Sequence, residues 1–224
     1  MKRGFNVAID GPAGAGKSTI AKKVAEKLNY IYLDTGAMYR TMALYCIRKN
    51  VNLEDEWEVV NACKDVNIDI KFDNGEQQVW LNGENVNGYI RTPEVGKGAS
   101  SVAAYGPIRK KLVEIQQDIA KISDVIMDGR DIGTCVLKDA QVKIYLTASS
   151  KVRAERRYKE FLEKGIEADI DVIEKEIIDR DYHDMHREIS PLTKAEDALV
   201  LDSSYMTIEE VVEKILHIIG EKIK

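Results

Sequence analysis

The stretch Phe5-Asn6-Val7-Ala8-Ile9-Asp10-Gly11-Pro12-Ala13-Gly14-Ala15-Gly16-Lys17-Ser18-Thr19 decides how the rest of the chain is read. Its first part is a short apolar run ending in an acid, the pattern of a buried strand. Residues 11–18 match GxxxxGK[ST], and Ile20, Val24 and Leu28 then recur at helical spacing. Strand, glycine loop and helix in that order make a phosphate site. The glycines let the backbone wrap a phosphate, successive N–H groups point inward, and the helix N-terminus adds positive potential. Gly11, Pro12, Ala13, Gly14, Ala15, Gly16, Lys17, Ser18 and Thr19 are therefore the expected nucleotide-binding residues. Lys17 would reach the β- and γ-phosphates, and the Ser18 hydroxyl would ligand magnesium. The motif implies a nucleoside triphosphate.

Four more apolar runs follow, at 30–34, 125–128, 142–148 and 198–202. Amphipathic helical patterns alternate with them. Ile108, Leu112, Ile115 and Ile119 follow Pro107, a residue suited to a first helical turn. Thr207 and Glu210 have the spacing of a capping box ahead of Ile208, Val211, Val212, Ile215 and Ile219. This alternation predicts an α/β fold, a five-stranded parallel sheet with helices on both faces. One stretch breaks the rhythm. Asn-Gly dipeptides at 74–75, 82–83 and 87–88 separate short β-type runs, a hairpin signal. They predict a small antiparallel insert of about three strands, over 64–97, within a single domain whose core is 1–63 and 98–224.

Composition narrows the function classes. Thirty-three Lys and Arg against 38 Asp and Glu give a net charge of −5, so no basic footprint for duplex DNA or an anionic membrane exists. No apolar run reaches the ~18 residues of a spanning helix. Lys2 and Arg3 lead straight into the first strand, which argues against a signal peptide. Cys46, Cys63 and Cys135 have no metal-ligand spacing and are too few for a disulfide frame. The expectation is a cytoplasmic protein acting on small molecules, without nucleic acid or membrane partners.

Arginines mark the second half of the site. Arg40 follows the second strand and Arg130 the third, and ligands of doubly wound sheets sit beyond such strand ends. Guanidinium forks match phosphate oxygens. Arg180, Asp184 and Arg187 at i, i+4 and i+7 would put two cations around a carboxylate on one helical face. Arg153, Arg156 and Arg157 form either a solvated stripe or a mobile lid, about 150–165, closing positive charge over a transferring phosphoryl group. No guanine-specifying NKxD run is present. His183, His186 and His217 are expected on the surface or at caps, because phosphoryl transfer to a phosphate requires no general base.

Taken together, IDGPAGAGKST at 9–19, LDTGAMYR at 33–40, IRTPEVGKGASSVAAYGPIR at 90–109, MDGRDIGTCV at 127–136, RDYHDMHREISPL at 180–192 and DALVLDSS at 197–204 resemble bacterial cytidylate kinases. The resemblance runs from about residue 5 to 220, with Thr35 standing where many relatives carry serine. It implies a P-loop kinase in which the antiparallel insert belongs to the monophosphate-binding region. It further implies γ-phosphoryl transfer from ATP, with Mg2+, to CMP or dCMP by a monomer. On this resemblance Thr35, Arg109 and Asp131 would read the base, and Ser100, Arg180 and Asp184 the sugar. Arg40, Arg130 and Arg187 would hold the acceptor phosphate. Lys17, Arg130, Arg153 and Arg157 would supply catalytic charge. The alternatives are a kinase for another small acceptor (UMP, AMP or a polyol) and a regulatory ATP-binding switch.

Overall fold

The computed structural model describes residues 4–73, 75–163 and 165–223. Lys2, Arg3, Asn74 of the first Asn-Gly pair and Lys164 of the expected lid lie outside the described residues. In chain order the elements are β1 (Asn6–Asp10), α1 (Lys17–Leu28), β2 (Ile31–Asp34), α2 (Thr35–Arg48) and α3 (Glu56–Ala62). Next come β3 (Ile68–Asp73), β4 (Glu76–Leu81), β5 (Glu84–Asn85), α4 (Pro93–Val102) and α5 (Gly106–Ile122). The chain closes with β6 (Val125–Gly129), a π-helical turn (Ile132–Val136), β7 (Val142–Thr147), α6 (Ser150–Glu163), α7 (Ile170–His186), β8 (Leu199–Asp202) and α8 (Ile208–Ile223). Five strands form one parallel sheet in the order β2-β6-β1-β7-β8, and β3-β4-β5 form a separate antiparallel sheet. All five apolar runs read as strands are the strands of the larger sheet.

The chain divides into two compact units, one comprising Gly4 with 31–125 and the other 5–30 with 126–224. In the second, all five residues of β1 are buried, which is why its sequence shows no polar alternation. Parallel pairing sets Asp10 against Tyr145 and Thr147 against Asp202. The chain therefore leaves β1, β7 and β8 at the same edge of the sheet, where loops carry chemistry. Helix α8 opens with the expected capping box. The Glu210 N–H donates to Thr207 Oγ1 at 3.2 Å, and the Thr207 N–H donates to Glu210 Oε2 at 2.8 Å. Val211, Val212, Ile215 and Ile219 are buried, whereas Ile208 is exposed.

In the first unit, Met38, Met42, Val59, Val79, Leu81 and Leu112 share one core. The β4–β5 turn is Asn82-Gly83, with φ of 48° and 86°, the paired positive φ of a type I′ hairpin. The third Asn-Gly pair does something else. Asn87 Oδ1 accepts the Val79 N–H and Asn87 Nδ2 donates to the Gln77 carbonyl, both at 2.8 Å. Its side chain thus substitutes for a neighbouring strand along β4.

Candidate active site

The phosphate loop lies between β1 and α1. At Gly11 (φ 149°) a Cβ would fall 1.9 Å from the Leu146 carbonyl oxygen, so the loop leaves β1 in a path only glycine can take. Lys17 is buried and its ammonium donates to the Pro12 carbonyl at 2.7 Å. Burial and the nearby positive charge of Arg130 push its pKa well below that of an ordinary lysine, against the pull of Asp128, Asp10 and Asp184. A triphosphate would reverse that imbalance by supplying negative charge. Ser18 Oγ donates to Asp128 Oδ2 at 2.8 Å. This hydroxyl and carboxylate are hard oxygen donors of the type that suits magnesium.

Asp10, at the end of β1, holds the next loop in place. Its carboxylate accepts the Ile132 N–H at 2.8 Å and the Gly133 N–H at 2.7 Å. These bonds anchor the π-helical turn, whose i→i+5 bond from Leu137 N–H to the Ile132 carbonyl is 2.7 Å. Desolvation raises the Asp10 pKa to about 6, the two backbone bonds opposing it. The residues leading into that turn from β6 are Arg130 and Asp131. Arg130 Nε donates to Asp184 Oδ2 at 2.8 Å, and Arg187 Nη2 lies 3.7 Å from Asp131 Oδ1. Both carboxylates are buried. Burial raises the Asp184 pKa, but Arg130, with Arg180 and Arg187, brings it below the usual carboxylate value.

The expected face of Arg180, Asp184 and Arg187 is only partly helical. Helix α7 ends at His186, and Arg187 has an extended ψ of 143°. Arg187 Nε instead donates to the Ser190 carbonyl at 2.7 Å. Asp184 also takes Arg130 Nε, from 54 residues away in sequence. Arg153 is buried against the phosphate loop, Arg156 donates to the Ser203 carbonyl at 2.7 Å, and Arg157 lies over the Phe161 ring at 5.3 Å. None of these matches a purely solvated stripe. The three histidines are exposed, as expected.

In the first unit, Asp34 caps α2, its Oδ1 accepting the Ala37 N–H at 2.9 Å. Its other oxygen takes Arg40 Nη2 at 2.9 Å and Arg91 Nη2 at 2.7 Å. Arg40 Nε, by contrast, is buried with no hydrogen-bond partner among the described residues. One edge of the fork is fixed, while its Nε donor lies buried. Gln77 of β4 grips the Asp34 peptide from both sides, accepting its N–H at 2.7 Å and donating to its carbonyl at 3.2 Å. Thr35 is buried at the start of α2, and Ser100 is half-buried on α4. Arg109 is buried on α5, donating to the Ala103 carbonyl at 3.2 Å and lying 5.5 Å from the Tyr39 ring centre. Asp34, Gln77 and Arg91 were not among the residues singled out from the sequence. Arg91 sits inside a quoted motif, but only the fold brings it to Asp34.

A glycine-lined phosphate loop with a buried lysine, on a parallel sheet and beside a cluster of arginines and carboxylates, defines a P-loop phosphotransferase. A family model described as Cytidylate kinase matches residues 7–221. The chain is 54% identical to the cytidylate kinase of Lactobacillus johnsonii, over 100% of this chain and 99% of that protein. It is 48% identical to a cytidylate kinase of Bacillus cereus, over 98% of each chain. An uncharacterised protein from Eubacterium ventriosum, 10% identical, shares the fold with a TM-score of 0.52 over 96% of this chain and 98% of that one. The chain belongs to the cytidylate kinase family.

Proposed function

We infer that this chain phosphorylates CMP and dCMP to CDP and dCDP at the expense of ATP. Family membership over almost the whole length supports the reaction class. The observation that carries the choice of acceptor is the buried Asp131 carboxylate beside Arg187, in the loop that follows β6. Cytosine offers an exocyclic amine beside acceptors at N3 and O2, and a carboxylate with an arginine or a hydroxyl, the role proposed below for Arg109 and Thr35, is the complementary set.

The chemistry requires positioning and charge. A monophosphate is already a nucleophilic oxyanion, so no side chain needs to remove a proton from it. Lys17 would follow the γ-phosphoryl charge as it moves. Arg130, held at Nε by Asp184 and touching the Gly129 carbonyl through Nη1 at 3.4 Å, would turn Nη2 to phosphate oxygens, and Arg157 would add charge when α6 closes on the nucleotide. Arg40 and Arg187 would hold the acceptor phosphate with Arg130. Thr35 and Arg109 would complete recognition of the base with Asp131, while Ser100, Arg180 and Asp184 would take the sugar. Magnesium, held by Ser18 with Asp128 behind it, would offset triphosphate charge when bound. We also propose a monomer in the cytoplasm that acts on small molecules alone. The net charge of −5 supports that reading, and no helix among the described residues is long and apolar enough to cross a membrane.

The test is a coupled assay of ADP formation with ATP and each nucleoside monophosphate in turn. CMP and dCMP should be turned over far faster than UMP or AMP. ADP release that no acceptor stimulates would overturn the proposal in favour of a regulatory ATPase.

A further inference from the structure

Ala13, within the phosphate loop, has both of its flanking peptide groups held by one pair of side chains. The Ala13 N–H donates to Asp181 Oδ1 at 3.2 Å, and the Ala13 carbonyl accepts from Arg153 Nη1 at 2.8 Å. The two side chains also meet each other, Arg153 Nη1 lying 2.6 Å from Asp181 Oδ2. Arg153 Nε is fixed in turn on the Ala148 carbonyl at 2.9 Å, just past the end of β7. Ala13, Arg153 and Asp181 are 4%, 6% and 8% exposed. The clamp is therefore shielded from water, where charge-assisted bonds keep most of their strength. Gly14, next in the loop, has φ of 75°, and a Cβ there would stand 3.4 Å from Arg153 Cβ. The arginine stem thus packs on the loop where its backbone turns left-handed.

A carboxylate near a triphosphate site needs a reason to be there, since alone it repels the ligand. Arg153 neutralises it. The pair leaves the loop's charge balance unchanged while fixing both the N–H and the carbonyl of Ala13, of which a lone cation could hold only the carbonyl. Asp181 comes from α7 and Arg153 from α6, so two helices converge on a single residue of the loop.

We propose that Asp181 is a positioning residue for ATP. With Arg153 it holds the N–H and the carbonyl of Ala13, so that the loop has its phosphate-receiving shape before the nucleotide arrives. Binding then spends no free energy on ordering the loop, the usual benefit of preorganisation. Arg153 serves the loop through this contact, whatever charge it also lends to the transferring group.

The test compares Asp181→Ala, Asp181→Asn and wild type by steady-state kinetics with ATP and CMP varied separately, alongside thermal melts. Asp181→Ala should raise the KM for ATP by about tenfold or more and leave the KM for CMP within about twofold. Asp181→Asn keeps an acceptor for the Ala13 N–H and should fall between the two. In the nucleotide-free protein, the Ala13 amide should exchange with solvent at least about tenfold faster in Asp181→Ala than in wild type. A residue that merely supports the fold would move both KM values, or only the melting temperature. An unchanged KM for ATP, or a parallel rise for ATP and CMP, overturns the proposal. If Asp181→Ala does not fold, Asp181→Asn decides, and a wild-type KM for ATP in that variant overturns it equally.

Discussion

Asp34 performs two tasks with one carboxylate, and two substitutions separate them. Asp34→Asn keeps the cap on α2, because an asparagine oxygen accepts the Ala37 N–H as well as aspartate does. It removes the charge that holds Arg40 and Arg91. Asp34→Ala removes both. The cap contributes about 1 kcal/mol of stability. The Arg40 pair is largely buried, with side chains 19% and 6% exposed, so its charge-assisted bond contributes about 1.5–3 kcal/mol. The Arg91 side chain is 65% exposed, and its share is about 1 kcal/mol or less after solvent screening. If about half of the Arg40 contribution reappears as the cost of fixing that guanidinium on the proposed acceptor phosphate, the KM for CMP should rise about 4- to 13-fold. The KM for ATP should not change. Both constants come from the coupled ADP assay, and melting curves should place Asp34→Ala below Asp34→Asn by the cap contribution. A wild-type KM for CMP in Asp34→Asn would refute the claim that Asp34 orients Arg40 for the acceptor.

Three further outcomes follow from the same geometry. Lys17→Ala should lower kcat by about 100-fold or more in a folded protein, because its ammonium acts on charge that develops during transfer; wild-type kcat would exclude that role. Backbone exchange in α6 around Arg157 should slow when both nucleotides are present, as phosphates supply the counter-charge; unchanged protection, measured by hydrogen–deuterium exchange, would leave the helix without a lid function. Asp10 binds a proton more tightly in the folded chain, at about 6 against 3.8, so the folded state holds more protons in that window and stability falls as pH rises through it. The urea-derived stability of wild type relative to Asp10→Asn should therefore shrink by about 2 kcal/mol between pH 4 and pH 7, and a pH-independent difference would remove Asp10 from that account.

Strands and helices were legible in the sequence because a parallel sheet buried on both faces demands apolar runs, and helices flanking it demand a periodic stripe. The phosphate loop was legible because its spacing is local. What escaped were partnerships between residues remote in sequence. Asp34 with Arg91, Arg130 with Asp184, and Asp181 with Ala13 are separated by 57, 54 and 168 positions, and no periodicity encodes them. Cys46 and Cys63 are a further instance, since their Sγ atoms lie 3.5 Å apart as free thiols. Arg187 closes α7 as its C-cap, its N–H still on the His183 carbonyl at 3.1 Å, so the i, i+4, i+7 spacing runs to the helix end and the chain turns extended only after it. The third Asn-Gly pair has the composition of a hairpin turn, yet its asparagine is used by the side chain along β4.

The central claim is that a buried carboxylate in the loop after β6 selects cytosine by its amine. The most direct test measures kcat/KM for CMP and for UMP in wild type and in Asp131→Ala. A hydrogen bond to a charged group contributes about 1.5–3 kcal/mol, so kcat/KM for CMP should fall about 10- to 150-fold. UMP presents a carbonyl where CMP has its amine, and the carboxylate repels it. The CMP-over-UMP ratio should therefore narrow sharply in the variant. If Asp131 instead only pairs with Arg187 and steadies the loop, both substrates lose equally and the ratio stays at its wild-type value, which would contradict the account.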